Sequence, residues 1–205
     1  FHTGSLHRTN LPQVRADLRR PEIERLARRF GSGVIVQNGA RKGTLRRAAM
    51  DRGIPAILFE AGEPMRLQEE EIDRGIAGSL DLLAAMGMID RNRKKEAEPL
   101  VYFETRWVRA NDGGILRSRV TLGDVVARGD VLGTISDPVS RERVELRSEW
   151  GGRIIGMTVS PIMIPGYAAY HIGIEDGAAA APDGNEPDPP ETEVDNGGGE
   201  DERPE

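Results

Sequence analysis

Gly33-Val34-Ile35-Val36-Gln37, then Gly43-Thr44-Leu45-Arg46-Arg47, then Gly53-Ile54-Pro55-Ala56-Ile57-Leu58-Phe59-Glu60 decide the fold, because two short apolar runs flank a helical segment. Val34–Val36 is β-branched and bounded by glycine, as is usual for a buried strand. Gly43 and Thr44 lead into a helix that runs to about Arg52 and stops at Gly53. Ile54 to Phe59 reads as a second buried strand, closing on Glu60-Ala61-Gly62-Glu63-Pro64. Working outward, Pro21 opens a helix that ends at Phe30, with proline in the first turn and Glu22 and Glu24 near its positive end. A longer helix spans about Gln68 to Met86; Ile72, Ile76, Leu80 and Leu83 recur at helical spacing, and Glu69, Glu70 and Glu71 crowd its N-terminus. The order helix–strand–helix–strand–helix predicts an α/β layer with parallel strands. Residues 1–20 read as a polar loop interrupted by Gly4, Asn10 and Pro12.

From Leu100 the pattern changes. Short apolar stretches alternate with glycine turns up to Ala168–Ile174, and no helical period appears, which predicts a small all-β, barrel-like module. The expected organisation is an α/β part over 1–90, a charged linker over 91–99, a β module over 100–175 and a disordered acidic tail over 176–205.

Composition narrows the chemistry. The 205 residues contain no cysteine, so disulfides, thiol nucleophiles and Cys-ligated metals are excluded, and a metal would need His, Asp or Glu. Histidine occurs only at positions 2, 7 and 171. No stretch reaches the roughly 18 apolar residues of a membrane helix, so no membrane partner is expected. The net charge of -6 is uneven: from Asp176 onward there are 11 acidic residues and one basic one, which leaves the rest at +4. Four Phe, three Tyr and two Trp offer little for base stacking, so no nucleic-acid partner is expected either. No feature demands export, which makes the cytoplasm the expected compartment.

Three local patterns could carry chemistry. His2 lies in a Gly/Ser loop, where it could be a metal ligand, a general base or a polar loop residue; His7 shares that loop. Glu60 ends an apolar run, and ligands of open α/β sheets bind beyond the carboxyl ends of strands. There it could act as a general base, or it could be a strand-end carboxylate paired with Arg46 or Arg66. Glu63, next to Pro64, reads as solvated. Arg46 sits near a helix N-terminus, which is electrostatically poor for that helix and suits a substrate carboxylate; Arg47 reads as surface. His171, between Tyr170 and Ile172, reads as a packed or edge residue.

Taken in order, His2-Thr3-Gly4-Ser5, His7-Arg8-Thr9-Asn10-Leu11-Pro12-Gln13-Val14-Arg15, Gly43-Thr44-Leu45-Arg46, Gly53-Ile54-Pro55-Ala56 and Glu60-Ala61-Gly62-Glu63 resemble the succinylglutamate desuccinylase/aspartoacylase family over residues 1 to about 175. The resemblance implies a zinc-carboxypeptidase-like α/β domain followed by a β domain of hammerhead type. It implies a zinc-dependent deacylase acting on the amide bond of a small N-acyl amino acid or related acid. It makes His2 a zinc ligand, Glu60 the catalytic base and Arg46 the substrate-binding residue. The family's G-x-H-x-x-E zinc motif is absent from this sequence, so the chain is expected to be the C-terminal part of a longer enzyme and inactive alone.

Residues 123–133, Gly-Asp-Val-Val-Ala-Arg-Gly-Asp-Val-Leu-Gly, are also similar to the half-barrel of biotinyl and lipoyl carrier domains. That offers an alternative reading as a non-catalytic adaptor. A carrier needs a lysine at a hairpin tip, yet no lysine follows Lys95 and the Pro138–Glu142 turn offers only Arg141.

Overall fold

The computed structural model describes residues 1–5, 7–92 and 97–174. The expected tail over 176–205 and the middle of the expected linker lie outside the described residues.

The first 20 residues are not a loop. Arg8–Ala16 form β1, a nine-residue strand at the heart of the main sheet. Its partner register shifts between Asn10 and Gln13, so Leu11 and Pro12 fall in a bulge, where the missing proline N–H disrupts no ladder. Helix α1 (Pro21–Phe30) follows and ends on Gly31 in the left-handed region, then β2 (Val34–Gln37), α2 (Leu45–Asp51), β3 (Leu58–Gly62) and α3 (Glu69–Ala85). Strand β3 begins later than the apolar run suggests, and Ile54 is exposed.

The sheet is mixed rather than parallel. β2 runs parallel to β1 and to β4 (Leu100–Tyr102), but β3 is antiparallel to β1 on its other edge. The front half of β1 pairs antiparallel with β10 (Gly152–Thr158). β10 continues the sheet to β12 (Ala168–Ile174) and β5 (Thr105–Arg109), with β7 (Val125–Val126) also on β10. One eight-stranded sheet therefore draws strands from both sides of residues 91–99.

A second sheet orders its four strands β11 (Ile162–Met163), β6 (Gly114–Ser118), β8 (Val131–Ser136) and β9 (Arg143–Arg147). Both sheets are open in the described residues, so the expected barrel closure is not formed. The repeated Gly-Asp turns are built alike: Gly123 and Gly129 take φ of +91° and +93°, and Asp124 and Asp130 each accept a backbone N–H three residues earlier, from Thr121 and Ala127 at 2.8 Å.

The two faces of the α/β part differ in chemistry. Val14, Ala16, Ile35, Phe59 and Ala61 turn toward α1 and α3, where they bury Ile23, Ala27 and Phe30. Helix α3 lies where its sequence puts it, but its close contact is made by small residues. Gly75 and Gly78 are buried, and a Cβ at Gly78 would stand 2.5 Å from the Phe30 ring. Ile72 and Ile76 are exposed and line an apolar cleft of about 710 Å³ with Phe1, Leu67 and Leu80. The opposite face carries the polar residues that make up the candidate site.

Candidate active site

The site begins with the first residues of the chain. Phe1–Thr3 runs alongside β3 as an isolated parallel bridge: His2 N–H donates to Phe59 O at 2.9 Å, Ala61 N–H to His2 O at 3.2 Å, and Gly4 N–H to Gly62 O at 3.0 Å. Bridge partners project to the same face, so His2 meets Glu60 while Phe1 packs edge-on against Phe59 on the helical side, ring centroids 5.8 Å apart.

His2 Nδ1 lies 3.1 Å from Glu60 Oε1 and also contacts the Thr3 carbonyl. Both neighbours are acceptors, so Nδ1 carries a proton, which leaves the lone pair on Nε2 when the ring is neutral. The Glu60 hydrogen bond, countered in part by burial, holds the His2 imidazole above its ordinary pKa.

Glu60 itself is 5% exposed. Its second oxygen, Oε2, is 2.6 Å from Nε of Arg15, a residue 7% exposed. Arg15 comes from β1, two positions after Gln13, and Gln13 is the direct cross-strand partner of Glu60. Gln13 is fully buried, and neither its Oε1 nor its Nε2 has a hydrogen-bond partner. Such a group is uncommon in a folded protein.

Arg46 stands behind this pair. Its Nη1 donates to the Arg15 carbonyl at 2.7 Å and to the Asn38 carbonyl at 3.3 Å, and Nη2 donates to Asn38 Oδ1. No carboxylate pairs with it among the described residues. Burial, and secondarily the positive charge of Arg15, push its pKa down to about 10. A half-buried cation without an anionic partner is electrostatically suited to receive a ligand carboxylate. The loop that holds it is distorted: Ala40 takes φ of +61°, and its N–H donates to Asn38 Oδ1 at 3.0 Å.

The structure therefore brings His2 and Glu60 into direct contact, with Arg46 adjoining through Arg15. Sequence reasoning misses Arg15 and Gln13, which lie on β1 where a loop is expected and whose signal is polar side chains two apart along one strand, and it misses Asn38, which follows β2 and carries no such signal. Glu60 pairs with His2 and Arg15, not with Arg46 or Arg66 as the simpler reading had it. Glu63, expected to be solvated, has its side chain only 16% exposed, where it pairs with the exposed Arg66 at 2.7 Å. Arg47 bonds Asp51 on the helix surface. His7, at φ +71°, shapes the turn before β1. His171 is buried and stacks on Trp107, ring centroids 4.3 Å apart, as a packed residue does.

Among the described residues no three His, Asp or Glu side chains converge on a point that could hold a metal. His2 alone has the form of a ligand, with Nε2 free and Nδ1–H anchored on a carboxylate and a carbonyl. A complete zinc site needs more donors than these residues provide. No helix among the described residues is long and apolar enough to cross a membrane.

No family profile and no curated protein matches the sequence. Solved structures do. The chain superposes on the ectoine utilization protein EutE (DoeB) from Ruegeria pomeroyi with a TM-score of 0.77 at 18% identity, over 85% of this chain and 58% of that one. A succinylglutamate desuccinylase/aspartoacylase from Rhodobacter sphaeroides gives 0.73 at 20% identity, over 83% and 55%. An aspartoacylase family protein from Mesorhizobium loti gives 0.69 at 14% identity, over 84% and 60%. The chain thus spans little more than half the length of these proteins, and across that span it has the fold of structures from the succinylglutamate desuccinylase/aspartoacylase group.

Proposed function

We propose that the chain is part of a hydrolase that removes an acyl group from the amide nitrogen of a small N-acyl amino acid or related acid. The observation that supports this most is the contact of His2 with Glu60 on a buried polar face, in a fold shared with proteins of that class. In this reading Glu60 is the general base: it takes a proton from the attacking water and returns it to the leaving amine. Arg15 fixes one carboxylate oxygen, which leaves the other facing His2. Arg46 supplies the partly desolvated positive charge for the substrate carboxylate. His2 is one ligand of a zinc ion whose other ligands come from outside the described residues; bound zinc would polarise the acyl carbonyl and acidify water. The β strands beyond Leu100 frame the mouth of the site, and the compartment is the cytoplasm.

The test is hydrolysis of N-succinylglutamate and N-acylaspartate by the whole protein that contains this chain, with zinc measured in the same preparation. Activity that disappears with chelator, and a Glu60→Gln variant slowed about 10²–10⁴-fold in kcat with zinc content unchanged, is the expected result. Full turnover by Glu60→Gln removes Glu60 from the base role. A metal-free active protein ends the zinc reading.

A further inference from the structure

Gln13 has no place in the chemistry above, yet it lies beside the residue that does most of it. Its side chain is fully enclosed, and both of its polar atoms lack a partner. The register sets it directly across from Glu60 on the same face of the β1–β3 pair. Cross-strand side chains at such positions start about 5 Å apart, close enough for an amide and a carboxylate to bond each other. In the structure they do not: Oε1 faces His2 Nδ1 at 3.1 Å, and Oε2 forms a close ion pair with Arg15 Nε at 2.6 Å.

We propose that Gln13 is a positioning residue whose carboxamide receives the Glu60 carboxylate when its Oε1 leaves His2. The inference rests on the reading of Glu60 as the base. A base that takes a proton from water and delivers it to an amine must shift its oxygen between two places. Arg15 anchors Oε2 throughout and serves as the pivot. His2 Nδ1–H holds Oε1 at one end of the swing, and Gln13 Nε2–H is the donor at the other. An amide suits this task because it donates without adding charge, so it steadies the carboxylate without trapping it. The unpartnered atoms of Gln13 then have a cause: the structure captures Glu60 at the His2 end.

The first experiment needs no turnover. In a His2→Ala variant Oε1 loses its donor, and the ¹⁵N-resolved side-chain amide protons of Gln13 are expected to move downfield and exchange more slowly with solvent. Adding Glu60→Ala to that variant should cancel the change. If the Gln13 resonances are the same in wild type and His2→Ala, the proposal is overturned. In the active whole protein, Gln13→Met is expected to lower kcat at least tenfold with KM and folding retained; unchanged kcat overturns it as well. If wild-type protein hydrolyses no N-acyl amino acid, the deacylase reading fails by itself, while the resonance test still decides whether Gln13 meets Glu60.

Discussion

Arg15→Met is the substitution whose cost the site geometry fixes most tightly. Arg15 and Glu60 meet at 2.6 Å with side chains 8% and 6% exposed, so little water screens them. Removing one member of such a pair leaves the other charge buried, which destabilises by about 3–5 kcal/mol. For a chain of this size that is a fall in Tm of roughly 10 °C or more. Replacing both partners, Arg15→Met with Glu60→Met, removes the desolvated charges together and should recover most of the loss. The exposed pair Arg47–Asp51 is a control: it has nearly the same separation, 2.8 Å, but side chains 45% and 53% exposed, and it is worth only about 0.3–0.5 kcal/mol. Urea unfolding of wild type, both single variants and the double variant gives the coupling energy from midpoints, provided the slopes agree. A coupling of about 2 kcal/mol or more is expected. An Arg15→Met cost below about 1 kcal/mol, matching the surface pair, would refute a dry ion pair at Glu60 and with it the anchored carboxylate on which the proposed chemistry depends.

Two further predictions address the same region. Because the His2 pKa is raised above its ordinary value of 6.5, the His2–Glu60 contact contributes to stability in full below that value and loses its contribution as pH rises through the higher folded-state value. Stability measured upward from pH 6 should therefore fall more steeply in wild type than in His2→Gln, and identical slopes would show that the pair does not titrate on folding. On the helical side, Gly78→Ala gains about 1 kcal/mol in helix propensity but drives a methyl to 2.5–2.7 Å from the Phe30 ring, itself packed 4.9 Å from Phe59. Overpacking of this kind costs about 1–3 kcal/mol, so net destabilisation is expected, whereas Gly75→Ala meets mainly the exposed, yielding ring of Phe1 at 3.0 Å and should be neutral or stabilising in thermal unfolding.

The parts of the fold that can be read from sequence are those where apolar side chains point inward. Helix α1 is bounded in the sequence as in the structure, because Pro21 and Gly31 punctuate a segment whose Ile23, Ala27 and Phe30 all face the core. Strand β2 is equally plain, with three apolar residues buried in a row. Strand β1 fails the same reading for a physical reason. Periodicity assumes that polar residues face water, but Asn10, Gln13 and Arg15 are buried against other polar groups, and Pro12 occupies a bulge instead of ending the strand. Helix α3 fails more subtly: its length is right, but two glycines, not the Ile72/Ile76 stripe, provide the surface against which Phe30 closes.

These departures share a cause. A strand that must present an arginine and an amide to a carboxylate on its neighbour has to bury polarity on one face while keeping Val14 and Ala16 in the core on the other. That double demand makes β1 look like a loop in sequence, and it also makes β1 the element that organises the site. His2 and Glu60 could be named from their own neighbours along the chain. Arg15 and Gln13 could not, since their significance arises only from the antiparallel register that sets Gln13 across from Glu60 and brings Arg15 to its second oxygen. Local conflict between pattern and position is expected where function outweighs packing, and in this chain the conflict runs along a single strand.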